Sequence, residues 1–295
     1  MTSLFQCAPN FSEGRNPDTL DALRRAASAP GVALCDFTAD PDHNRAVATL
    51  LGDAEGLERA VMQMAAVAVE RIDLRLHAGQ HPFVGALDVL PFVPFRNAAM
   101  DQADSLAQQA ARRIGEELGV PVYLYAESAA DPSRRALPAL RKGGIAGLCK
   151  RMAAAPPDYG PPTAHPSAGI TVAGARKPLL AFNVNLDSVD VNLAKRIARQ
   201  IREANGGIPG VRALGLWLSS CRCAQVSVNI TDVEAATLAT VYRAVADIAA
   251  SEGVSVRGCE LIGGIALPYL VAALNEALRG EIRVTQVLDG WLPLP

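Results

Sequence analysis

Two of the four histidines, His77 and His81, stand four residues apart in "LHAGQHPFVGALDVLPFVPF". Imidazole titrates near neutrality, so such a pair can hold zinc, carry a proton or line a polar turn. A zinc pair at this spacing needs one helix face, as in H-E-x-x-H. Here Ala78, Gly79 and Gln80 intervene and Pro82 follows, which drives the residue before it out of the α region. No glutamate base stands in the motif either, so no metal is expected. Proton transfer by His81 suits the residues better. Glycine and proline tighten the backbone around it, and Asp88 is a candidate orienting partner downstream. On these residues alone, a proton carrier and a surface turn histidine stay equally open. Cys221 and Cys223, inside an apparent hairpin, read as turn or core cysteines rather than ligands.

Other polar clusters fall at strand ends: "PNFSEGRN", "DPDHNR" and "GARKPLLAFNVNL". They carry more hydrogen-bonding groups than a turn requires, although caps and turns use the same residue types. From them come Asn10, Ser12, Asn44, Arg45, Arg176 and Asn183 as candidate substrate-binding residues, with His77 and Phe83 beside His81. No G-x-x-x-x-G-K-[ST] or G-x-G-x-x-G phosphate loop is present.

The elements that must position these groups alternate between strand and helix. The first half reads strand ("SLFQCAPNF"), helix from Pro17 and Asp18, two strands ("GVALCDFT", "RAVATLLG"), an amphipathic helix ("DAEGLERAVMQMAAVAVERI") and a strand ("ALDVLPFVPF"). A further helix ("SLAQQAARRIGEELGV") and strand ("PVYLYAE") follow. After a stretch holding Pro156, Pro157, Pro161, Pro162 and Pro166, the order recurs: "PLLAFNVNLD", "VNLAKRIARQIREANGG", "VRALGLWLSS", "AQVSVNITD", the helix "VEAATLATVYRAVADIAASEG" and "VSVRGCELIG", then the helix "LPYLVAALNEALRG". The expectation is an α/β (α+β) chain of two ferredoxin-like βαββαβ subdomains, residues 1–159 and 170–295. Residues 160–169 would be a semi-rigid connector, with a ligand tunnel or cleft between the halves.

With 295 residues, half of them apolar and a fifth charged, the composition is that of a globular protein. A net charge of −2 gives no electrostatic case for nucleic acid or an anionic membrane. No run of about 18 apolar residues suggests a membrane helix, and the start lacks a signal-peptide pattern. A cytoplasmic location is the default expectation. The six cysteines are expected to be reduced.

Seven segments, in order, resemble the glutamate formiminotransferase family: "CAPNFSEGRN", "DPDHNRAVATLLG", "HAGQHPFVGALDVLPFVP", "LGVPVYLYAE", "GITVAGARKPLLAFNVNLD", "AQVSVNITD" and "GCELIGG". The resemblance implies two similar α/β halves with a folate-binding tunnel between them. It implies transfer of a formimino group from N-formimino-glutamate to tetrahydrofolate, a co-substrate, with His81 as catalytic acid/base. It places the folate-contacting loop on Gly160, Pro161, Pro162, Thr163, Ala164, His165, Pro166, Ser167, Ala168 and Gly169. It implies a homodimer and, because animal relatives carry a fused cyclodeaminase absent here, a separate cyclodeaminase as partner.

Two segments depart from the family pattern. Phe83 stands where H-P-R has its arginine, the residue suited to a bidentate grip on carboxylate. "GCELIGGIALP" replaces G-S-E-[LV]-[IV]-G-L-x-P. Two alternatives follow: a relative using another formimino or acyl amino-acid donor, and a catalytically silent folate-binding paralogue.

Overall fold

The computed structural model describes residues 2–79 and 82–287. The chain divides into two compact units, Met1–Arg176 and Lys177–Pro295. The first opens with β1 (Leu4–Cys7) and β2 (Asn10–Phe11), two pieces of one strand path, since both pair with the same two neighbours. Helix α1 (Pro17–Ala26) starts where Asn16 accepts from the Thr19 N–H and Pro17 fills a first-turn position that needs no donor. Strands β3 (Val32–Asp40) and β4 (Arg45–Gly52) form a hairpin whose turn ends on Asn44 at φ +48°. Helix α2 (Ala54–Arg71), capped by Asp53, buries Leu57, Val61, Met64 and Ala68 along one stripe. Strand β5 (Leu87–Arg96) is buried along its first seven residues.

These strands pair antiparallel in the order β3, β4, β1/β2, β5. The unit then adds α3 (Met100–Leu118), β6 (Val122–Leu124), α4 (Leu137–Arg141), α5 (Gly144–Met152) and β7 (Thr171–Ala175). Strand β7 pairs parallel with both β5 and β6. Parallel neighbours need long crossovers, and the helical segments supply them.

The second unit runs β8 (Leu180–Leu186), α6 (Val191–Ile201), β9 (Val211–Leu218), β10 (Cys223–Ile230), α7 (Leu238–Ser251), β11 (Val256–Ile262) and α8 (Leu267–Leu278). Its antiparallel sheet is ordered β11, β8, β10, β9, the same path as the first four strands of the other unit. Leu180, Phe182, Val184 and Leu186 enter its aliphatic core, while Ala181, Asn183 and Asn185 alternate with them.

The structure departs from the sequence expectation in four places. The division falls after Arg176, not at a connector over 160–169. That segment lies inside the first unit, because β7, beyond it, is a strand of the first sheet. The first sheet accordingly carries seven strands. Helix α7 starts at Leu238, since Asp232 accepts from the N–H groups of Glu234 and Ala235 and Thr237 then caps the helix. Cys221 and Cys223 are joined by a disulfide at the β9–β10 turn, which holds their Cα atoms 5.5 Å apart. No described helix is long and apolar enough to cross a membrane.

Candidate active site

Asp88 lies in β5 among Leu87, Val89 and Leu90 and is fully buried. A carboxylate there survives only with several partners. Its Oδ1 accepts from the backbone N–H groups of Val84 at 2.7 Å and Gly85 at 3.3 Å. Its Oδ2 accepts from Arg45 Nη1 at 2.8 Å and from Arg141 Nη2. Burial alone would raise the Asp88 pKa. The guanidiniums of Arg141 and Arg45, with the hydrogen bonds, outweigh burial and hold it down at about 2. Burial pushes Arg45 down to about 10, a shift that Asp88 opposes and Arg141 reinforces. Asn10 completes the group: its Oδ1 accepts from Arg45 Nε at 3.1 Å and from Nη2, and its Nδ2 donates to Ala8 O.

One residue before Arg45, the left-handed Asn44 turns its side chain the other way. Its Oδ1 accepts from Gly14 N at 2.9 Å, and its Nδ2 donates to Ala78 O and His77 Nδ1, both at 3.1 Å. The Gly14 bond fixes the amide orientation, so His77 Nδ1 is an acceptor and its proton sits on Nε2. Burial lowers the His77 pKa, favouring that neutral form. Phe83 packs on the core of this unit and meets His77 edge-on, with ring centroids 4.3 Å apart. The turn can sit this close only because glycine lies on both sides of it. A Cβ on Gly14 would stand 2.2 Å from Asp40 O, and one on Gly79 would stand 2.3 Å from His43 O.

Beneath the 82–86 backbone lies Ser12, 1% exposed, whose hydroxyl donates to Gly85 O at 2.7 Å. On its other side comes the end of the Pro/Gly segment. Ser167 O accepts from Leu74 N, Ala168 O accepts from Ala86 N, and Ile170 N donates to Val84 O. His165 closes a turn with Gly169 through two backbone bonds, and its Nδ1 accepts from Ala168 N at 3.0 Å. Gly169 has φ +70°, and a Cβ there would stand 2.4 Å from Val84 O. At the far end, Gly160 (φ +83°) approaches Gly115 of α3, its nitrogen 2.7 Å from where a Gly115 Cβ would sit. The 160–169 segment is therefore clamped at both ends within the first unit.

The first unit thus brings Ser12, Asn44, His77, Phe83 and the 165–169 turn around two short stretches of backbone, residues 77–79 and 82–86, with Asn10 and Arg45 joined to them through Asp88. His81 and Gln80 lie outside the described residues. Arg176 stands beyond this group, with its backbone N–H on Phe92 O and its side chain bonded to the buried Tyr125. Asn183 belongs to the second unit, where it contacts Glu260 at 3.4 Å. Asp88, the candidate orienting partner of His81, serves Arg45, Arg141 and the Val84 and Gly85 amides among the described residues. Arg141 was not foreseen. The string "LPALRKGG" shows a cation ending a short helix, but nothing in it signals a partner 53 residues earlier. Among the described residues, no group of three or more His, Cys, Asp or Glu could hold a metal ion.

The chain matches two family models. One, described as formiminotransferase domain, N-terminal subdomain, covers residues 4–176, and the other, formiminotransferase domain, covers residues 181–285. The chain is 41% identical over 284 residues to a glutamate formimidoyltransferase from Streptococcus pyogenes serotype M1, covering 95% of each chain. It is 38% identical over 266 residues to one from Thermoplasma acidophilum, covering 88% of each. Against the formimidoyltransferase-cyclodeaminase of Sus scrofa it is 43% identical over 282 residues, which is 92% of this chain and 52% of that protein. The chain thus spans about half the length of that relative.

Proposed function

The chain belongs to the formiminotransferase family, and from that membership we propose that it transfers a formimino group from N-formimino-L-glutamate to tetrahydrofolate. The products are glutamate and 5-formiminotetrahydrofolate, a step of histidine breakdown and one-carbon metabolism. The observation that carries this reading is 41% identity to a glutamate formimidoyltransferase across nearly the whole of both chains.

In this reading His81 is the proton carrier. The N5 amine of tetrahydrofolate attacks the amidine carbon and loses a proton, and the C–N bond to glutamate breaks as that nitrogen gains one. An imidazole between the two nitrogens accepts the first proton and returns it to the second, with a contribution of about 10²–10⁴ in rate. The neutral His77, tied to Asn44, shapes the approach, and the clamped 160–169 segment contacts the folate. Ser12, Asn10 and Asp88 hold the backbone and the arginines rather than touch substrate. The two units are variants of one ferredoxin-like arrangement, and the working protein is a cytoplasmic homodimer.

Phe83 favours a second reading, in which the donor is another formimino-amino acid. Its ring packs on apolar core and on His77, a position that offers no cation to a carboxylate. Steady-state turnover of tetrahydrofolate with a panel of formimino-amino acids tests both. The first reading expects N-formimino-L-glutamate to have the highest kcat/KM. Turnover confined to a donor without the side-chain carboxylate would replace it with the second, and no turnover with any donor would remove both.

A further inference from the structure

We infer that Arg141 and Arg45 form a carboxylate-binding subsite in the first unit, fixed from beneath by Asp88, and that its ligand is a glutamyl carboxylate. The inference rests on the reading above, in which the donor and the folate tail both carry glutamate.

Charge is the first argument. Arg45, Arg141 and Asp88 sum to +1, in a place where the carboxylate is wholly out of water. Desolvated guanidinium charge without a matching anion is expensive, and a ligand carboxylate supplies the match. Access is the second argument. Asp88 is 0% exposed, whereas the Arg45 and Arg141 side chains keep 11% and 13% of their surface in solvent. The anion that organises the pair is sealed below, and the cations stand above it.

Donor supply separates the two arginines. Arg45 spends Nε and Nη2 on Asn10 and Nη1 on Asp88. Arg141 matches only Nη2, and its buried Nε has no acceptor among the described residues. Arg141 thus keeps donor capacity that Asp88 does not use and that its solvent-facing part can offer to a carboxylate, whereas all three Arg45 nitrogens are engaged. Arg141 is therefore the specificity-determining residue, and it supplies the grip that Phe83 cannot.

The test uses the full chain and four kinetic parameters: kcat, KM for N-formimino-L-glutamate, and KM for mono- and triglutamyl tetrahydrofolate. Arg141→Gln is expected to raise one class of KM by about 10- to 100-fold, the loss expected for a charge-assisted carboxylate contact, with kcat within about threefold. A rise in donor KM alone assigns the subsite to the donor. A rise confined to folate assigns it to the folate tail. Arg141→Lys keeps the charge, loses the planar fork and should fall between wild type and Arg141→Gln. Arg113→Gln, which disrupts only the pairs with Glu58 and Glu117, serves as the unchanged control. Unchanged KM values in Arg141→Gln, or a fall in kcat alone, would overturn the inference. Should Arg141→Gln fail to fold, the inhibition constant of glutarate against Arg141→Lys decides: several-fold weaker is expected, and equal inhibition overturns. Wild-type turnover with its usual KM values leaves the parent reading standing in either case.

Discussion

Strands β5 and β11 hold the same place in the two units, the fourth strand of one path, yet they are built for different work. Strand β5 is flanked on both sides, by β1/β2 and by β7, and its first seven residues are buried. That shelter lets a carboxylate sit among leucine and valine with two arginines around it. Among the described residues strand β11 pairs only with β8, and the middle of it is exposed, Glu260 included. The same backbone route thus gives a dry, charged centre in one unit and an open edge in the other. The added β6 and β7 make the difference, since they remove an edge and bring the 160–169 segment onto the 82–86 backbone. The candidate site lies where the repeat is broken, as expected if sites are grafted on a fold rather than fixed by it.

The contrast can be broken most forcefully at its two acids. Asp88→Asn leaves two buried guanidiniums without a full charge partner and is expected to cost about 3–5 kcal/mol in urea unfolding. Glu260→Gln, at the corresponding strand of the second unit, should stay within about 0.5 kcal/mol. Comparable losses from the two would erase the distinction. Next in size is Gly79→Ala, whose Cβ must push the His43 carbonyl aside. A stability loss of about 1–3 kcal/mol is expected, with a larger proportional loss of turnover. Wild-type turnover in that variant would mean that the 41–44 turn does not shape the site.

Acid sharpens the comparison further. Asp88 has a folded pKa of about 2, below its ordinary 3.8. Its contribution to stability is therefore complete above about pH 4 and is lost as pH falls through about 2. The melting-temperature gap between wild type and Asp88→Asn should shrink across that window, and a constant gap would refute the ion-pair account. The smallest expected effect belongs to His77. Its folded pKa is lowered from the ordinary imidazole value of 6.5, so the neutral form stabilises the fold above about pH 6.5 and that support fades below it. Wild-type protein should lose melting temperature faster than His77→Gln between pH 7 and pH 5. Parallel curves would show that the Asn44 bond is indifferent to protonation.

Much of this was legible in the sequence because strand and helix periods are local signals. The order β8 to β11 and the helix start at Pro17 follow from alternation and proline placement. The polar clusters at Asn10, Ser12, Asn44 and Arg45 were visible as excess hydrogen-bonding groups. Their work was not, since Ser12 reaches Gly85 and Asn10 braces Arg45 through contacts far apart in sequence. Arg141 was illegible for the same reason, and so was the unit boundary. Proline-rich composition looks alike whether a segment joins two units or folds back onto one, and only the parallel pairing of β7 with β5 tells them apart.

The proposed proton transfer turns on a single imidazole, and the most direct measurement is kcat for formimino transfer to tetrahydrofolate in wild type and His81→Ala, with folate affinity taken in parallel. A fall of about 10²–10⁴ in kcat with folate affinity retained is expected. Turnover within a few-fold of wild type in His81→Ala would contradict it.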